Sequence, residues 1–169
     1  MPYFYRPKAK RVIYYTPMRY IGLLSTMLLA LCSWNPAKAQ IQDPSAWTYS
    51  VQKTAEGHYD LQFRLQLKEG WHIWSLNPGG DGYQIIPSFT FAPGAAFKPE
   101  GKVSESGDPV TKVMEGIEGK VTYYSKSVTY TQKITARPGT VITGTHQYQI
   151  CNDELCLPPA DKAFTFTIP

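Results

Sequence analysis

The chain reads as all-β, an antiparallel β-sandwich of immunoglobulin-like type, on three observations. Seven short segments alternate apolar with polar side chains, turn signals separate them every ten or so residues, and no stretch sustains helical periodicity. A β-barrel would show the same alternation, so it stays open as the other architecture.

The elements follow in order. Trp47, Tyr49 and Val51 alternate with Thr48 and Ser50, and Glu56-Gly57 marks the turn that ends this segment. From Tyr59 to Leu67 the residues Tyr59, Leu61, Phe63, Leu65 and Leu67 alternate with Asp60, Gln62, Arg64 and Gln66, the pattern of a strand with one wet face. Asn77-Pro78-Gly79-Gly80-Asp81-Gly82 reads as a hairpin loop. Its glycines are no phosphate cradle, because no helix start with Lys or Ser/Thr follows. Shorter alternating segments are expected at Ser88 to Phe91, Val121 to Tyr124, Val128 to Ile134, Val141 to Ile150 and Phe164 to Ile168, with Ala92-Pro93-Gly94 and Arg137-Pro138-Gly139 as turns.

The N-terminus has a different character. Arg6, Lys8, Lys10, Arg11 and Arg19 precede an apolar run from Ile21 to Leu31, and Ala37-Lys38-Ala39 supplies a small-x-small cleavage site before Gln40. Residues 1–39 are therefore expected to be a secretory signal peptide, with translation starting at Met1 or Met18. The run is short of the ~20 residues that span a bilayer, so stable membrane insertion of the mature chain is not expected. Leu31 before Cys32 argues against a lipid-attachment site, which requires a small residue there. Six of the 17 basic residues and none of the 13 acidic ones lie in this segment, which leaves eleven basic against thirteen acidic residues, a net charge of −2. The formal +4 thus belongs to the export signal and gives no ground for nucleic-acid binding.

Residues 40–169 form one domain by length, and only Cys151 and Cys156 remain in it. In an oxidising compartment two cysteines five positions apart tend to pair, so a Cys151–Cys156 disulfide is expected. Three readings of the pair stay open. The first is a staple closing a short loop, worth about 2 kcal/mol by loop entropy. The second is a metal site completed by His72 or His146, disfavoured because free thiolates survive poorly outside the cytoplasm. The third is thiol-disulfide exchange. Spacing other than Cys-x-x-Cys, with no helix following, excludes a thioredoxin-type centre. Asp153 and Glu154 in the loop disfavour a thiolate, so exchange would wait for a partner to change the surroundings, and Pro158-Pro159 holds Cys156 at an edge where another protein can reach it.

Tyr148-Gln149-x-Cys151, Cys156-x-Pro158-Pro159, Gly70-Trp71-His72 and Tyr130-x-Gln132 together resemble the N-terminal periplasmic domain of the thiol:disulfide interchange protein DsbD over nearly all of residues 45–169. The resemblance implies an immunoglobulin-like fold, a periplasmic location, no cofactor and a monomer. It also implies thioredoxin-like proteins or domains as electron donor and acceptors, among them disulfide isomerases and the thioredoxins of cytochrome c biogenesis. Cys156 would form the mixed disulfide with the partner and Cys151 would resolve it. A cap loop of the family would place its tip at Ile117, where the family has an aromatic residue, and an acidic pocket residue at Glu115. His72 and Trp74 would fall where the family has tyrosines lining the site. Family proteins continue into a membrane domain and a thioredoxin-like domain; for this chain, ending at Pro169, the expectation is either a reductant on a separate polypeptide, a membrane or thioredoxin-like donor, or a free-standing module whose role has drifted from electron relay. The competing expectation is a structural or ligand-binding sandwich whose disulfide is a staple.

Overall fold

Alternation decides the first sheet. The computed structural model describes residues 43–94 and 96–169; the expected signal peptide, with Cys32, Met18 and the Ala39/Gln40 junction, lies outside the described residues. Strands β1 (Ser45–Ala55), β2 (His58–Leu67), β8 (Ser127–Ala136) and β5 (Phe97–Gly107) form a four-stranded antiparallel sheet in the order β1-β2-β8-β5. The β2–β8 register sets Tyr59 opposite Ile134, Phe63 opposite Tyr130 and Leu65 opposite Val128. All six are at most 1% exposed, and burying a side chain of the Leu or Phe class stabilises by about 1.5–3 kcal/mol. Gln132 interrupts this apolar row, and its amide is satisfied by donating to the Lys133 carbonyl at 2.8 Å.

The second sheet, β10 (Ile150–Cys151), β3 (His72–Gly79), β7 (Lys120–Tyr124) and β6 (Val110–Val113), and the third, β11 (Ala160–Thr167), β9 (Val141–Tyr148) and β4 (Ser88–Phe91), share a hydrophobic core with the first. Phe63 of the first sheet meets Phe89, Phe164 and Phe166 of the third with ring centroids 4.8, 4.9 and 5.1 Å away. Ile73, Tyr124 and Ile150 carry the second sheet into the same core. The result is an all-β antiparallel sandwich of immunoglobulin-like type. Gly144 is required where β9 passes β4 and β11, because a Cβ there would stand 2.2 Å from the Thr90 carbonyl oxygen and 2.4 Å from Phe164 Cζ.

Several expectations need correction. The segment from Val141 to Ile150 is not one strand: it breaks at Gln149, and the chain passes from the third sheet to the second. Asn77 to Gly82 is no hairpin loop either, since Asn77–Gly79 end β3 and the residues after them carry the chain from the second sheet to β4 in the third. Alternation did not reveal β3, whose first four residues are all buried, nor β5 or β6. Pro99 and Gly101 lie within β5, where only Phe97 and Val103 pack against the core and no residue is fully buried, and every residue of β6 is exposed, so neither shows a regular alternation; both are sheet edges.

Candidate functional site on the outer face of the second sheet

One face of the second sheet belongs to the main core and the other to the cysteine pair. Ile73, Tyr124 and Ile150 point into the core, so by the two-residue period of a strand their neighbours His72, Trp74, Tyr123 and Cys151 share the opposite face. The register agrees, pairing Cys151 with His72 and Trp74 with Tyr123. Trp74, Val121, Tyr123 and Cys151 form a second hydrophobic cluster, against which Met114 and Ile117 pack from the loop between β6 and β7.

The cysteines close a disulfide with Cα atoms 4.0 Å apart, and they form an antiparallel bridge. A short hairpin aligns them independently of that bond. Asn152 N–H donates to the Leu155 carbonyl at 2.9 Å, Leu157 N–H donates to the Ile150 carbonyl at 2.9 Å, and Asn152 Oδ1 accepts from the amides of Glu154 and Leu155 at 2.9 and 2.7 Å. Gln149 Nε2 adds a bond to the Leu157 carbonyl at 3.0 Å, at the point where the chain changes sheets. Pro158 and Pro159 lead from the hairpin into β11. The two sulfurs have unequal surroundings: Cys151 is 1% exposed within the cluster, whereas Cys156 is exposed.

His72 is deeply buried. It is 4% exposed, lies 5.0 Å from the Trp74 ring and 4.8 Å from the Tyr123 ring, and its Nε2 is buried without a hydrogen-bond partner. Burial holds its pKa below the ordinary imidazole value; the charge of Asp153 opposes that shift and the charge of Lys112 adds to it. Lys112 Nζ sits over the Tyr123 ring, 5.4 Å from its centroid.

Ile117 is half-buried and packs against the cluster, while Cys156 is exposed. Glu115 on the same loop is exposed. Tyr123, Val121, Met114 and Lys112 went unnoticed in the sequence. The alternation of Val121 with Tyr123 was the available signal, but Tyr123 and Tyr124 are adjacent, and composition cannot tell which of the two faces the core. His146 lies far from this constellation in role: it is fully buried in the main core and hydrogen-bonds Tyr49 Oη through Nε2 at 2.9 Å. Among the described residues no group of three or more His, Cys, Asp or Glu side chains could hold a metal ion, and no helix is long and apolar enough to cross a membrane.

Comparison with known proteins places this geometry. The N-terminal periplasmic domain of ScsB from Proteus mirabilis is 16% identical, with a TM-score of 0.57 over 75% of this chain and 47% of that one, so the chain spans about half the length of that relative. The DsbD N-terminal domain of Neisseria meningitidis in the reduced form is 17% identical over 72% of this chain and 85% of that one, with a TM-score of 0.48. A complex between the DsbD N-terminal and PilB N-terminal domains of Neisseria meningitidis contains a chain 18% identical over 78% of this chain and 84% of that one, with a TM-score of 0.47. Comparison with curated proteins gives no match. Likenesses at such identities speak to the fold. The family described as the N-terminal part of the thiol:disulfide interchange protein DsbD matches residues 37–168, which is most of the chain, and the protein belongs to that family.

Proposed function

We propose that the protein is a periplasmic thiol-disulfide exchange module, which relays electrons between a thioredoxin-like donor and exported partner proteins through Cys151 and Cys156. The observation that carries this reading is the unequal burial of the two cysteines. Exchange proceeds by in-line attack of a thiolate on one sulfur of a disulfide, so the accessible sulfur is the one a partner can reach. Here that is Cys156. A donor thiolate attacks Cys156 Sγ, a mixed disulfide forms, and Cys151 leaves with the electron pair of the broken bond. In the opposite direction Cys151 attacks Cys156 Sγ and releases the partner's thiolate. No cofactor enters either step. Trp74 and Ile117, with His72, shape the surface around the pair, and Glu115 stands on the loop that carries Ile117 as a contact for an approaching partner. The acceptors fall among disulfide isomerases and the thioredoxins of cytochrome c biogenesis, and the module acts as a monomer.

The hairpin favours this reading over a staple. Its backbone ladder and the Asn152 side chain hold the cysteines side by side without the covalent bond, so reduction need not disperse them. The test equilibrates purified protein in glutathione and dithiothreitol buffers and reads the pair by thiol alkylation. A potential between roughly −180 and −270 mV supports a relay, and Cys151→Ser then traps mixed disulfides through Cys156. A value below about −300 mV identifies a resistant structural disulfide and ends the exchange reading.

A further inference from the structure

His72 stands directly opposite Cys151 in the β3–β10 register. Directly opposed side chains of an antiparallel pair have Cβ atoms about 5 Å apart. The imidazole is 4% exposed, and its buried Nε2 has no partner. Buried polar atoms are ordinarily satisfied, and one that is not calls for a reason. The chemistry of the pair supplies one. In the disulfide, Cys151 has no proton to donate; once reduced, it carries an S–H beside an imidazole that lacks a donor.

We propose that His72 is the proton partner of Cys151. It takes the thiol proton when Cys151 closes on Cys156 and returns it when Cys151 is expelled. This rests on the reading above in which Cys151 is the resolving cysteine. In resolution, Cys151–SH and neutral His72 become Cys151–S⁻ and imidazolium. The thiolate then attacks Cys156 Sγ, the partner–Cys156 bond breaks, and the partner departs with that electron pair as a thiolate, which the released proton neutralises through solvent. In reduction, a donor thiol gives up its proton, which reaches His72 through solvent and makes the imidazolium; the donor thiolate bonds to Cys156, the Cys151–Cys156 bond breaks, and the thiolate formed on Cys151 takes that proton and leaves His72 neutral.

The surroundings suit such a role. A thiolate on Cys151 would sit among Trp74, Val121 and Tyr123, where an unneutralised charge is strongly disfavoured. Asp153 on the hairpin favours a transient imidazolium, Lys112 on β6 returns it to the neutral form, and burial keeps the ring neutral between turnovers. Tyr123 from β7 presents its ring, and Trp74 from β3 carries no charge. Since an acceptor must be unprotonated before the step, a lowered pKa prepares His72 to receive a proton at neutral pH.

The experiment mixes reduced protein with glutathione disulfide between about pH 5 and pH 9 and quenches with acid. Alkylation and mass measurement then follow conversion of the glutathionyl adduct to the Cys151–Cys156 disulfide. His72→Phe keeps an aromatic of similar size without the acceptor, and His72→Gln keeps a polar group that cannot take up a proton in this range. Each tenfold loss of thiolate corresponds to one unit of thiol pKa, so closure at neutral pH is expected to slow by about tenfold or more in both variants, with the pH–rate profile displaced to higher pH. Thermal melts identify whether His72→Phe folds; if it does not, His72→Gln carries the test. Profiles that superimpose on that of the unsubstituted protein would overturn the proposal and leave His72 as packing. The closure rate is intramolecular and needs no partner. A redox potential too low for exchange would therefore end the relay reading while the profile still judges His72.

Discussion

His146 makes the stability of the fold depend on pH, and the size of the effect follows from its surroundings. The ring lies 4.3 Å from Trp47 and is stacked with Tyr148 and Phe89 at 5.4 and 5.8 Å. It is fully buried, hydrogen-bonds Tyr49 through Nε2, and leaves Nδ1 without a partner. Burial, with Lys162 adding and Asp161 opposing, drives its pKa from 6.5 down to about 4. The unfolded chain therefore binds a proton below about pH 6.5 that the folded chain refuses. Stability is fully present above that value, falls as pH decreases, and levels off near pH 4. At about 1.4 kcal/mol for each unit of pKa, the loss is about 3 kcal/mol. His72, whose pKa is also lowered, adds a loss of the same sign. The perturbation is His146→Phe, which keeps an aromatic ring and gives up the bond from Tyr49 at a cost of about 1 kcal/mol near pH 7. Urea melts of both proteins across this pH range provide the assay. The substituted protein should show a much shallower decline between about pH 6.5 and pH 4, so the two stability curves converge as pH falls and cross before pH 4. Parallel curves would mean that His146 does not titrate as its burial requires, and the reasoning would fail.

Three further outcomes are expected. Gly144→Ala forces a Cβ into the Thr90 carbonyl and Phe164, so it should cost about 1–3 kcal/mol or more in a urea melt; a loss of only a few tenths would mean the strands part freely there. The Tyr124 phenol, pushed up to about 12 by burial and by the Glu105 carboxylate, should ionise nearer its ordinary value in Glu105→Gln, as read from phenolate absorbance; an unmoved titration would show that burial acts alone. Ile117→Ala thins the cover over the cluster containing Cys151, so dithiothreitol should reduce the disulfide faster, with about 1 kcal/mol of stability lost. Equal reduction rates would show that the loop does not govern access.

Much of the fold was legible because half-buried strands reveal themselves. In β2 the side chains Tyr59, Leu61, Phe63 and Leu65 that alternate in the sequence are the ones at most 1% exposed in the sheet. The edge strands β5 and β6 left no such trace, since a strand with little buried face has no reason to alternate. The cysteine pair was also legible, as its spacing together with expected export to an oxidising compartment sufficed to expect the disulfide that is present. That His72, Trp74 and Ile117 gather around Cys151 followed only from the motif resemblance; no local pattern distinguishes His72 from an ordinary strand residue. Tyr123 was lost between two adjacent tyrosines, and Met114 and Lys112 lie near the site only because β6 pairs with β7.

By itself the sequence determined the all-β class, the family, most strand positions and the identity of the bonded cysteines. These depend on neighbours along the chain: alternation with period two, turn residues, and two cysteines five residues apart. Tertiary structure alone decided that the chain changes sheets at Gln149, so that Cys151 lies across from His72 on the outer face of the second sheet. It also decided that one cysteine is buried while the other is exposed. Local patterns could not supply this, because β10 pairs with a strand more than seventy residues earlier in the chain, and burial at the cysteines is set by side chains from β3, β7 and the β6–β7 loop that meet only when the sheets assemble.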